Sequence, residues 1–107
     1  MGLTHIVMYQ VKLASTPEMV KELIDRMFAL KQTCLHANSG KPYILSTTGG
    51  RDNSVQGLQG GLTHAFVVTF SNEEDRNYYA LEDPVHLDFV KWSEDVVEKV
   101  VAVDFAS

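Results

Sequence analysis

At 107 residues the chain has room for one domain (1–107) and one modest core, so a partner copy that covered further apolar surface would add stability. Apolar residues make up 45% and charged residues 21%, which excludes wholesale disorder. The formal net charge of −5 gives no basic footprint for nucleic acid and no attraction to anionic membranes, and no apolar run approaches the roughly 18 residues of a spanning helix.

Residues 4–13, THIVMYQVKL, alternate as a strand, with His5, Val7, Tyr9 and Val11 on one face and Ile6 and Met8 on the other. The N-terminus has no basic segment leading into a long apolar stretch, and Ile6 stands where a myristoylation signal needs Ser or Thr. Neither a signal peptide nor a lipid is expected. With the single cysteine, Cys34, this predicts a reducing, cytoplasmic setting.

The next stretch, STPEMVKELIDRMFALKQTCL, predicts a helix to Leu35, with Thr16 as N-cap and Pro17 in the first position. Val20, Leu23, Ile24, Met27, Phe28, Cys34 and Leu35 follow its apolar stripe, broken by Lys31, and Glu22 pairs with Arg26 on the wet side. Cys34 reads as a small buried hydrophobe. Asn38, Ser39 and Gly40 are expected to end the helix. A short strand over 43–47 follows. Five of the seven glycines then fall in 49–61, which predicts a loop. No GK[ST] or GxGxxG pattern makes it a phosphate loop, so it is either a plain connection or a mobile rim over a pocket.

The strand GLTHAFVVTF carries His64, Phe66, Val68 and Phe70 on one face. Ser71 and Glu74 form a capping-box pattern for a helix to Leu81. Asp83 and Pro84 cap and open a second segment to about Asp95, and EKVVAVDF closes the chain as a strand. Trp92 and Phe89 read as core or interface. The order predicts an α+β, ferredoxin-like (β-α-β-β-α-β) four-stranded antiparallel sheet with the helices on one face. Strands apolar on both parities, as at Val67 and Val68 or Val100 and Val101, need a cover on the second face. The expected cover is a second copy, giving a homodimeric α+β barrel through the open sheet face.

Four histidines remain. His36, near the end of the first helix, reads as structural or solvent-facing. His5 and His64 each follow a threonine and open a strand, so both are expected at one end of the space between sheet and helices. His86 lies in the first turn after Asp83, where the helix dipole favours neutral imidazole. Tyr78 or Tyr79 would lie beside it. Three histidines and a phenol in an apolar pocket suit proton transfer on a small carbonyl compound. Val7, Phe66 and Phe89 would wall that pocket. No HxH or HExxH spacing supports a metal site, and no cofactor is expected.

LTHIVMYQVK, GGLTHAFVVTFSNEEDRNYYALEDPVHLDFV and the closing VVAVDF together resemble the stress-responsive dimeric A/B barrel family over nearly the whole chain. The resemblance implies a ferredoxin-like protomer that dimerises through its sheets. It also implies several functions. Some members are plant stress proteins without established chemistry; others are polyketide cyclases that close a linear substrate by intramolecular aldol condensation, or cofactor-free monooxygenases. Carried over from the cyclases, the general base falls on His86 and substrate-binding histidines on His5 and His64. The catalytic tyrosine of those enzymes stands one residue closer to the base than Tyr79 does here. One extra residue in ALEDP makes Tyr79 the expected equivalent and Tyr78 the alternative. Two readings follow: a cofactor-independent cyclase or lyase with His86 and Tyr79 as catalytic groups, or a non-catalytic stress-responsive or ligand-binding barrel. A cofactor-free monooxygenase is the third. A cyclase needs an open pocket joining His5, His64 and His86, and a filled one would end that reading; the non-catalytic barrel can fill it with side chains.

Overall fold

A computed structural model describes residues 2–107. The elements are β1 (Leu3–Val11), α1 (Pro17–Thr33), β2 (Ile44–Arg51), β3 (His64–Phe70), α2 (Glu73–Leu81), α3 (Pro84–Ser93) and β4 (Val97–Ala106). The strands form one antiparallel sheet in the order β2-β3-β1-β4, the expected ferredoxin-like α+β fold.

α1 starts where the sequence predicts. Thr16 Oγ1 accepts from the Met19 amide at 3.2 Å, and Pro17, with no amide proton to leave unpaired, opens the helix. Leu23, Met27 and Leu30 recur every three or four residues and bury against the sheet, each contributing about 1.5–3 kcal/mol. The helix stops at Thr33, before the expected Leu35. Cys34 is already extended and Leu35 bridges Pro42, so Gly40, at φ 69°, turns the connecting loop instead of capping the helix.

Two other boundaries differ. Asn72 rather than Ser71 caps α2, with Oδ1 accepting from Asp75 N at 2.8 Å; the two residue types cap about equally well, so the sequence pattern does not choose between neighbours. β2 continues through Gly49 and Gly50 to Arg51, inside the predicted loop. Gly49 lies opposite Phe66, and a Cβ there would stand 2.5 Å from the Phe66 ring and 2.3 Å from Ala65 O. This glycine marks a close approach within a strand, not a turn.

Asp83 makes the break between α2 and α3. The amides of Glu82 and Asp83 both donate to Tyr78 O, at 2.9 and 2.8 Å, which closes α2. The Asp83 carboxylate then accepts from Val85 N at 2.9 Å and from the Tyr43 hydroxyl. The side chain is fully buried, so these donors offset the cost of burying the charge.

The helix-covered sheet face carries Leu3, Val7, Tyr9, Phe66, Val68 and Phe70, all buried. The other face bears Ile6, Met8, Val67, Val101, Val103 and Phe105. Val67, Ile6 and Val103 stand in one row, and Val103 and Phe105 are 53% and 51% exposed.

Candidate functional site

The structure divides the predicted histidines between two ends of the sheet. His5 and His64 do share the helix-covered face. They are not at the same end, because β1 and β3 run antiparallel: His5 pairs with Val68, and His64 with Tyr9. The intervening stretch from His5 to Tyr9 is about 13 Å of strand. Val7, Tyr9, Phe66 and Val68 fill it as buried core, so the single pocket joining His5, His64 and His86 does not form. Two strands that each open on Thr-His look alike in sequence, and only their relative direction separates the imidazoles.

At the first end, His5 Nδ1 donates to Asp104 Oδ1 at 2.6 Å across the β1–β4 pair. Asp104 Oδ2 accepts from Arg76 Nη1 of α2 at 2.7 Å. The cation fixes the carboxylate, and the carboxylate fixes the imidazole. Tyr79 packs edge-on to His5 at 6.0 Å between centroids and stacks on His86 at 3.8 Å with 24° between planes.

His86 Nδ1 lies 2.7 Å from Tyr79 O. A carbonyl only accepts, so Nδ1 carries the proton and the neutral ring leaves a lone pair on Nε2. Burial holds His86 down to about 4, assisted by the neighbouring His5 and opposed by the bond to Tyr79 O and by Asp83. The ring is therefore neutral at pH 7 chiefly because it is desolvated; the helix start invoked from the sequence is not its main cause. Burial also pushes the Tyr79 phenol well up, so it remains a proton donor.

The choice between the tyrosines is settled by burial. Tyr79 is the inward residue, at 1% exposure. Tyr78 joins a separate aromatic group, stacked on His36 at 5.9 Å and edge-on to Tyr43 at 5.6 Å. His36 Nε2 lies 3.4 Å from an Asp75 carboxylate oxygen, so this histidine ties the α1–β2 loop to α2. Cys34 is buried, and desolvation pushes its thiol up to about 12. Phe89 is core, 6.4 Å from the His86 ring, and Arg26 of α1 lies 4.2 Å over the Trp92 ring.

At the second end, His64 is 4% exposed and pairs across the sheet with Arg51. It borders two cavities. One, of about 500 Å³, lies against the start of α1 and is walled by Val11, Pro17, Val20 and Ile24, with Lys21 and Arg51 at its edge. The other, of about 630 Å³, lies under the 52–62 loop, beside Met8, Leu58 and Leu62. Both fall in the range of small-molecule sites. The glycine-rich segment is thus a rim over a cavity.

Sequence reading missed Asp104, Arg76, Arg51 and Thr63. The first two come from elements remote in the chain. Arg51 was hidden inside the predicted loop, and only Thr63, adjacent to His64, carried a local signal. Among the described residues no helix is long and apolar enough to cross a membrane, and no three His, Cys, Asp or Glu side chains converge as a metal site.

The model of the stress responsive A/B barrel domain matches residues 3–107. No curated protein matches the chain. Among solved structures, the Arabidopsis thaliana protein At3g17210 aligns at 25% identity and TM-score 0.81, over 98% of this chain and 94% of that one. A hydroxynitrile lyase from Passiflora edulis aligns at 22% identity and TM-score 0.83, over 99% and 93%. A dimeric ferredoxin-like protein from Thermobifida fusca aligns at 22% identity and TM-score 0.76, over 100% and 92%. At 22% identity the latter two likenesses speak for the fold alone.

Proposed function

Since the chain belongs to the stress-responsive A/B barrel family, we propose that it is a cofactor-independent enzyme of the lyase type, moving protons on a short substrate at the His86 end; the filled passage between the ends leaves no room for the long chain a cyclase folds. One observation carries this reading: His86 is a neutral imidazole with its Nδ1 proton committed to Tyr79 O and its Nε2 without a hydrogen-bond partner among the described residues, stacked on a protonated phenol. His86 takes the hydroxyl proton of a substrate such as a cyanohydrin through Nε2, and Tyr79 donates a hydrogen bond to the oxyanion that develops. As that oxygen forms a carbonyl, the carbon–carbon bond beside it breaks. The expelled cyanide leaves with the proton that His86 took, so the base is regenerated. His5, oriented by Asp104 and Arg76, positions the substrate. One of the structural neighbours is itself a lyase.

His86→Asn tests the assignment, because the Asn amide can keep the contact to Tyr79 O while removing Nε2. In a panel of cyanohydrins and linear poly-β-ketones, followed by product analysis, the short cyanohydrins should be the class that is consumed. Turnover of that class should drop about 10²–10⁴-fold in the variant. No turnover by wild type, or equal turnover by both, would refute the reading.

The filled interior supports a second reading. Val7, Tyr9, Phe66 and Val68 close the passage that a long substrate would need to reach both ends. A non-catalytic ligand-binding barrel would have this property, and a lyase with a short substrate is compatible with it as well.

We also infer that two copies pair through the open sheet face. Support comes from half-exposed Val103 and Phe105 and from the dimeric Thermobifida fusca neighbour. Val103→Asp should turn a dimer into a folded monomer by sedimentation, and a variant that sediments with wild type would remove this face from consideration.

A further inference from the structure

The second end of the sheet holds chemistry that the His86 proposal does not use. His64 is almost wholly buried, yet its ring has one nitrogen without a partner among the described residues. Its orientation follows from bookkeeping of a single proton. The Thr63 hydroxyl donates to Tyr9 O at 3.1 Å and accepts from Val11 N at 3.1 Å. Thr63 Oγ1 has no second proton, so the 2.9 Å contact to His64 requires His64 Nδ1 to be the donor. Burial, and then the adjacent Arg51, lower the pKa of His64, so the ring is neutral. Nε2 is consequently a fixed acceptor in the wall of the cavity.

Arg51 supplies the second group. It stands directly opposite His64 in the β2–β3 register and forms no ion pair with the described residues. Of the other charged side chains bordering the 500 Å³ cavity there is only Lys21, whose ammonium is held by Asp25 at 2.6 Å. No carboxylate borders it. The remaining wall is Val11, Pro17, Val20 and Ile24, with Ser15 and Thr63 at the polar side. A ligand that satisfies this wall presents an anion to Arg51, a hydroxyl donor to His64 Nε2, and an apolar body to the four aliphatic residues.

We propose that the cavity between the start of α1 and the β2–β3 end binds a small apolar hydroxycarboxylate. Arg51 takes the carboxylate as a charge-assisted pair, and His64 Nε2 accepts from the hydroxyl. The volume accommodates a body of phenyl or short-alkyl size. The site is separate from the His86 chemistry and stands whether or not that chemistry is found.

Calorimetric titration with three related probes tests it: 3-phenyllactate, 3-phenylpropionate without the hydroxyl, and 3-phenylpropane-1,2-diol without the carboxylate. Wild type should bind 3-phenyllactate most tightly, with each deleted group weakening binding about tenfold. Arg51→Gln, at an exposed position, should remove the preference for the carboxylate. His64→Asn, which keeps a donor for Thr63 and removes Nε2, should remove the preference for the hydroxyl. Melting curves establish that both variants fold; if His64→Asn does not, the wild-type series and Arg51→Gln decide alone. Absence of heat with all three probes, or equal affinity for them, overturns the proposal. Loss of binding in His86→Asn with retention in Arg51→Gln also overturns it, because the ligand would then belong to the other end.

Discussion

The two ends of strands β1 and β3 carry the same dipeptide, Thr-His, and do opposite things with it. His5 is tied to a carboxylate that is itself tied to an arginine, and its neighbours are aromatic rings. His64 is tied to a threonine with its acceptor nitrogen free, and its neighbours are cavities. His5 is oriented by a chain of charged partners, whereas His64 is oriented by a hydroxyl alone. A charged chain contributes to stability and orients groups. An unpartnered acceptor, as on His64 and on His86, is available to something outside the chain.

Acid should separate the ends most strongly. The folded His86 is held down to about 4, below the roughly 6.5 of an unfolded chain. As pH falls through that window the unfolded state takes up the proton first. Stability contributed by neutral His86 is therefore complete above about pH 6.5 and is lost progressively toward pH 4, by about 3 kcal/mol at most. His64 shifts in the same direction, so its own variant must be measured in parallel. Denaturant titrations of wild type, His86→Asn and His64→Asn between pH 7.5 and 4 should show the larger flattening in His86→Asn. A larger flattening in His64→Asn would reverse the assignment of the more tightly held ring.

A smaller effect comes from the charges beside each histidine. Asp104→Asn should cost about 1–2 kcal/mol, since it strands a partly buried guanidinium and frees His5. Arg51→Gln should lie within about 0.5 kcal/mol of wild type, because the side chain is exposed and forms no ion pair with the described residues. If the two cost the same by chemical denaturation, the contrast between the ends does not hold.

Most of the fold was legible in the sequence because its signals are local. Thr16-Pro17 and Asp83-Pro84 mark helix starts by backbone chemistry, and both act as expected. Apolar alternation located the four strands and which residues share a face. Relative direction is implied by the antiparallel sheet that the element order predicts, and the expected meeting of His5 and His64 at one end conflicts with it. Period-two alternation puts both on the same layer, and the antiparallel ladder sends them to opposite ends. The Asp104–His5 link was hidden for another reason, the 99 residues between its partners. Gly49 misled differently: its missing side chain serves the approach of Phe66, a demand from the neighbouring strand that local composition cannot express.

Cys34 closes the gap between α1 and the Asp83 break, with no accessible surface and a thiol pushed up to about 12. Because only the thiolate attacks an alkylating reagent, the folded chain should be nearly inert to one. Every labelling event must then pass through an opening of the junction that sets α3, and with it His86, in place. The chain carries one cysteine, so the labelling rate is a single-site clock for that opening. Run with and without a small-molecule ligand, that clock would reveal which end of the sheet a compound grips: tightening at the His86 end should slow it, while occupancy beside Arg51 should leave it ticking at its own pace.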